Sequence, residues 1–65
     1  MDHKEKKTYT VTVNGRLWET RDKLQAAIQL WKMLAYNHMF KQCSVKLFDE
    51  KGNLIREKKP KQIEQ

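Results

Sequence analysis

The chain has 65 residues, and 14 lysines and arginines against 8 aspartates and glutamates give it a formal net charge of +6. This length allows one small domain and little core, and the only cysteine, Cys43, excludes an internal disulfide. A lone thiol fits a reducing, cytoplasmic compartment. The other soft or imidazole ligands are His3 and His38, without finger-like spacing, so we predict no metal site and no cofactor.

The first predicted element is a β-hairpin. Residues 8–13 read Thr-Tyr-Thr-Val-Thr-Val, an alternation that is typical of a strand. Asn14-Gly15 suits a two-residue type I′ turn, because both residues tolerate a positive φ. Residues 16–20 are then the return strand, with Leu17 on the outer face. The predicted core face of this hairpin comprises Tyr9, Val11, Val13 and Trp18.

The segment between the two hairpins predicts one long helix that is apolar on two sides. It begins near Asp22, which resembles an N-cap, with Thr20 as the alternative cap, and it continues toward residues 39–42 without a helix breaker. At about 100° per residue, one stripe faces the sheet. That inner stripe comprises Leu24, Ala27, Ile28, Trp31, Leu34, Ala35, His38 and Met39.

The outer side of this helix is predicted to be a protein interface. Methionine and aromatic residues are enriched at interfaces, and a small sheet cannot cover both sides of one helix. We therefore expect a homodimer through this outer stripe; the alternative is that a tail residue such as Ile63 folds back over it. The predicted interface comprises Leu30, Met33, Tyr36 and Phe40.

A second hairpin is predicted from residues 44–49 and 53–58, with Gly52 in the left-handed position of the loop. The simplest register pairs Leu47 with Ile55, Lys46 with Arg56, and Val45 with Glu57. Val45, Leu47 and Ile55 then line the core. Phe48, Leu54 and the basic pair lie on the opposite face.

The predicted fold is α+β, with the order ββαββ and one helix packed on one face of a small antiparallel sheet. The domain covers residues 8–58, flanked by a disordered basic N-terminus (1–7) and a flexible basic tail (59–65). No stretch approaches the roughly 20 apolar residues that a bilayer crossing needs, so we predict no membrane partner.

The order of motifs resembles a family of very short bacterial and phage domains. The resemblance rests on the Asn-Gly turn, the Trp-bearing strand, the Ala-Ala-Ile helix and the run Asp-Glu-Lys-Gly-Asn-Leu-Ile. It spans residues 9–56 and implies a helix between two hairpins. It implies no catalytic residue.

The positive charge favours an acidic partner, although a net charge of this size also serves the solubility of a small domain. Basic residues around an exposed aromatic ring can follow phosphates while the ring stacks on a base. The predicted nucleic-acid interface comprises Lys46, Arg56, Lys58 and Phe48, assisted by the basic tails. The alternative is that Lys46 and Arg56 are solvated residues that discourage edge pairing.

We predict a non-enzymatic binding module without a small-molecule substrate. His38 and Cys43 are five residues apart and have no third group to orient the histidine, so they do not resemble a catalytic pair. The leading hypothesis is a homodimer that binds nucleic acid. The alternative is a protein-binding regulator or inhibitor, which would use the exposed apolar surface and could have an acidic protein as its partner.

Overall fold

The computed structural model describes residues 7–60. It confirms the α+β fold and the order ββαββ. The predictions for the two terminal segments lie outside the described residues, apart from Lys7, Lys59 and Pro60. The elements are β1 (Tyr9–Val13), β2 (Arg16–Arg21), α1 (Leu24–Ala35), a 3-10 turn (His38–Phe40), β3 (Val45–Phe48) and β4 (Leu54–Lys58).

The two hairpins join into one antiparallel sheet with the order β2-β1-β3-β4. Asn14 (φ 53°) and Gly15 (φ 82°) both have a positive φ, as the predicted type I′ turn requires. Asn14 also joins the hairpins. Its N–H donates to the carbonyl of Ser44 at 2.7 Å, and its Oδ1 accepts from the N–H of Ser44 at 3.0 Å.

One stripe of α1 packs on the middle strands of the sheet. Its buried residues recur at the spacing of one helix face, and the sheet contributes alternate residues of β1 and β3. Trp31 donates from Nε1 to the carbonyl of Val45 at 3.0 Å, which satisfies the indole N–H inside the core. The buried core comprises Val11, Val13, Ala27, Leu30, Trp31, Leu34, Ala35, Val45 and Leu47.

The helix is shorter than the sequence predicts. It follows Lys23, which makes no side-chain capping bond, rather than the predicted cap Asp22. It ends at Ala35, where the carboxamide of Asn37 accepts the N–H of Met39 at 2.8 Å and starts the 3-10 turn. A local side-chain bond of this kind competes with continuation of the helix. Among residues 7–60, no helix has the length and apolar character of a bilayer-spanning segment.

Each hairpin contains a β-bulge, and the bulge in the second hairpin changes its predicted register. Trp18 is the extra residue in β2, and Ile55 is the extra residue in β4. Phe48 pairs with Leu54 as predicted, but beyond the bulge every partner in β4 moves by one residue. The observed pairs are Leu47–Arg56, Lys46–Glu57 and Val45–Lys58.

Asp49 organises the turn between β3 and β4. Its Oδ1 accepts the N–H groups of Asn53 at 2.8 Å and Lys51 at 2.9 Å, and Gly52 has the predicted positive φ of 85°. The hydrogen bond from the Asn53 N–H is the main reason why the pKa of Asp49 lies below its usual value. The turn therefore favours the ionised carboxylate.

Candidate functional site

The structure does not bring the predicted nucleic-acid residues together on one face. Val45 and Leu47 point into the core, so the alternating Lys46 and Phe48 lie on the open face of the sheet, away from α1. The bulge at Ile55 moves the other two basic residues to the helix side: Arg56 pairs with Leu47 and Lys58 with Val45. The prediction of a shared face with a Lys46–Arg56 pair is wrong.

Lys58 has a structural contact that the sequence did not reveal. Its Nζ donates to three backbone carbonyls, those of Phe40 at 2.8 Å, Lys41 at 2.9 Å and Cys43 at 3.0 Å. An ammonium group has three donors, and this arrangement uses them all. Lys58 therefore fastens the 3-10 turn to β4 instead of presenting its charge to a ligand.

The open face of the sheet is mixed in character rather than basic. Two rows of paired residues cross this face. In one row, Lys46 on β3 lies beside Glu57 on β4. In the other row, Phe48 on β3 lies beside Leu54 on β4. Leu17 and Leu54 on this face are 66% and 49% exposed. The rows are Leu17–Thr12–Lys46–Glu57 and Thr20–Thr10–Phe48–Leu54.

The four residues of the predicted outer stripe of the helix do not share one environment: two of them pack against the core and two are exposed. Leu30 is only 6% exposed and belongs to the core, because it lies about 60° around the helix from the fully buried Ala27. Phe40 is half-buried against the core. Met33 and Tyr36 are 66% and 75% exposed, as predicted for that side. The prediction of an outer, unpartnered position is therefore wrong for Leu30 and for Phe40.

Charge is distributed unevenly along the strand direction. The end of the sheet with the Asn14-Gly15 turn also holds the last turn of α1, the 3-10 turn and the end of β4. We call this the basic end, because the residues described there include five basic side chains and no acidic one. They are Arg16, Lys32, Lys41, Lys58 and Lys59.

The opposite end of the sheet mixes both signs. Asp49 and Glu50 lie in its turn beside Lys51, and Asp22 lies beside Lys23. The middle rows are balanced as well, since each described carboxylate there shares its row with a basic residue. Most of the net positive charge of residues 7–60 is therefore at the basic end.

Trp18 borders the basic end and is half exposed. Its ring contacts Phe40 in a perpendicular arrangement, with 5.4 Å between the centroids. It lies on the helix side of the sheet, as the sequence predicts, but it is 48% exposed because β2 is an edge strand. Arg16 precedes it by two residues on the same strand. Sequence reasoning missed this grouping, because it depends on the strand order.

The site is an open surface. In the part of the chain that the structure describes, no three histidine, cysteine or acidic side chains converge on a point where a metal ion could bind. Over the same residues, the surface has no pocket to enclose a small molecule. Cys43 is half-buried and packs against the core. What the site offers is positive charge beside exposed aromatic surface, an arrangement that suits an extended anion.

No protein-family model, curated protein or solved structure matches this chain. The resemblance to short bacterial and phage domains therefore stays a prediction.

Proposed function

We propose that this protein binds nucleic acid through its basic end. The observation that carries the proposal is the concentration of Arg16, Lys32, Lys41 and Lys59 at one end of the sheet. The nearest described carboxylate in the sheet rows, that of Glu57, lies one row inward, where its strand partner is Lys46. Lysine and arginine gain affinity by neutralising phosphates and releasing their counterions. Such contacts position a protein on a nucleic acid without selecting a sequence.

Lys58 supports the site indirectly. By holding the carbonyls of Phe40 and Lys41, it fixes the segment from which Lys41 extends. A charged side chain on a fixed backbone loses less conformational freedom on binding than one on a mobile loop. Two of the residues first predicted as ligands, Lys46 and Arg56, are peripheral to this proposed site.

The test is a pair of double variants with equal net charge. Arg16→Ala/Lys41→Ala removes two charges from the basic end, and Lys23→Ala/Lys51→Ala removes two from the opposite end. We expect the first variant to bind a labelled oligonucleotide about tenfold more weakly at about 50 mM salt, with a shallower salt dependence. The control should stay within about twofold of the unmodified protein, since it loses no direct phosphate contact.

Fluorescence anisotropy over a salt series measures both quantities. Equal losses in the two variants would show that the charge acts diffusely and that the basic end is not a site. If the unmodified protein does not bind any oligonucleotide at low salt, the proposed function is wrong.

A protein-binding role remains a second candidate, favoured by the exposed apolar residues of the open sheet face. Leu17 and Leu54 are 66% and 49% exposed on this face, and the partly buried Phe48 pairs with Leu54. In this hypothesis the partner is a second copy of the chain, bound through the open sheet face. In sedimentation, Leu17→Glu should then shift a dimer to a monomer, while Met33→Glu on the helix should not. A monomeric unmodified protein at high concentration would contradict the dimer.

A further inference from the structure

We propose that the nucleic acid bound at the basic end is single-stranded and that one of its bases stacks on Trp18. The inference rests on the proposed function and adds the class of ligand to it. It begins from the contrast between the two tryptophans: Trp31 is 8% exposed and its N–H is satisfied in the core, while Trp18 is 48% exposed at the surface.

The contact between Trp18 and Phe40 leaves indole surface available. The two rings are nearly perpendicular, at 83°. In such a pair at most one face of the indole touches the neighbouring ring. A planar base can therefore stack on the face that Phe40 does not cover.

The aromatic ring against which the indole packs is fixed before any ligand arrives. Phe40 is half-buried against the core, its N–H donates to the carbonyl of Asn37 at 2.9 Å, and its carbonyl accepts from Lys58 at 2.8 Å. Trp18 thus packs against a ring whose backbone forms hydrogen bonds through both its N–H and its carbonyl. An aromatic surface that is already held in place loses little conformational entropy when a base stacks on it.

Basic residues neighbour the Trp18–Phe40 pair along the chain, and the carboxylate next to Trp18, that of Glu19, is paired with Arg21. Arg16 is two residues earlier along β2, which places it about 7 Å away along the strand. Lys41 follows Phe40 directly in the chain. A base on Trp18 would have its flanking phosphates within reach of these side chains, the usual combination in proteins that bind single strands. In a duplex the base faces are already stacked on each other and are closed to the indole.

The experiment compares an oligothymidylate of twelve nucleotides with a duplex of the same length, using three forms of the protein. Trp18→Leu keeps an apolar side chain against Phe40 but cannot stack, whereas Trp18→Phe keeps an aromatic ring. We expect Trp18→Leu to weaken single-strand binding by roughly 5- to 150-fold, the range for one lost base stack. Trp18→Phe should retain most of the affinity, and duplex binding should change little in either variant.

Intrinsic fluorescence gives a second readout, and its first part, the quenching of the unmodified protein, does not depend on the folding of a variant. The oligothymidylate should quench the unmodified protein, and the quenching should disappear in Trp18→Phe, which retains only the buried Trp31. A preference for the duplex, or equal losses for both ligands in Trp18→Leu, overturns the stacking proposal and leaves the proposed function standing. Absence of binding to both ligands at low salt overturns both.

Discussion

Leu30→Glu should leave most of the protein unfolded at 25 °C, whereas Met33→Glu should change its free energy of unfolding by less than about 0.5 kcal/mol. The two residues are three apart on α1 and were predicted to share its outer side. The structure separates them, with Leu30 6% exposed and Met33 66% exposed. Removing a buried leucine costs about 2–5 kcal/mol, and an unpaired carboxylate in its place adds several more.

The free energy of unfolding of a chain of this length is only about 3–10 kcal/mol, so one such change is enough. Urea denaturation followed by circular dichroism measures both variants. Leu30→Ala is an intermediate case that should lose stability without complete unfolding. If Leu30→Glu and Met33→Glu are equally tolerated, the helix does not pack as described and the two-sided interpretation of the sequence is the better one.

Lys58→Met should lower the free energy of unfolding by about 1.5–3 kcal/mol, while Lys59→Met should have almost no effect. Both changes remove one positive charge from the basic end. Of the two lysines, only Lys58 donates to three carbonyls. Removal of its ammonium group takes this donor from the carbonyls of Lys41 and Cys43, whereas the carbonyl of Phe40 still accepts the N–H of Cys43 at 2.9 Å. The methionine keeps most of the apolar stem, so the difference reports the hydrogen bonds rather than the packing.

Lys58→Arg should fail to restore the lost stability, because the donors of a guanidinium lie in one plane and point outward, not at a single compact site. The free energies come from urea denaturation, and the near-ultraviolet circular dichroism of the Trp18–Phe40 pair reports whether the 3-10 turn has moved. If Lys58→Met and Lys59→Met unfold at the same urea concentration, water replaces the ammonium group without cost, and Lys58 does not fasten the turn.

The local elements of this fold follow from the sequence, because their causes are local. Alternation of β-branched residues, the Asn-Gly turn and Gly52 act over a few residues each, and both hairpins are found where these signals place them. The side of the sheet on which Trp18 lies is also as predicted. The predicted end of the helix was wrong, because the side chain of Asn37 accepts a hydrogen bond that the apolar periodicity of the sequence does not reveal.

The grouping of charged residues could not be predicted in the same way. A single bulge at Ile55 transfers Arg56 and Lys58 to the other side of the sheet, and nothing in the sequence marks that residue as the extra one. The basic end depends on the strand order β2-β1-β3-β4, which brings together residues far apart in the chain. The three acceptors of Lys58 are backbone carbonyls, which every residue has, so the pattern of residue types could not predict this contact.

The strand order also has a consequence for how the chain folds. The two middle strands come from different hairpins, and their pairing joins Val11 to Leu47 across the whole helix. An isolated two-stranded hairpin is marginally stable at best in water, so neither half of the chain carries enough buried surface to persist alone. Contacts this distant in sequence slow folding, because the connecting loop must close before they are made. The chain should thus fold in one all-or-none step whose rate is set by the meeting of β1 and β3.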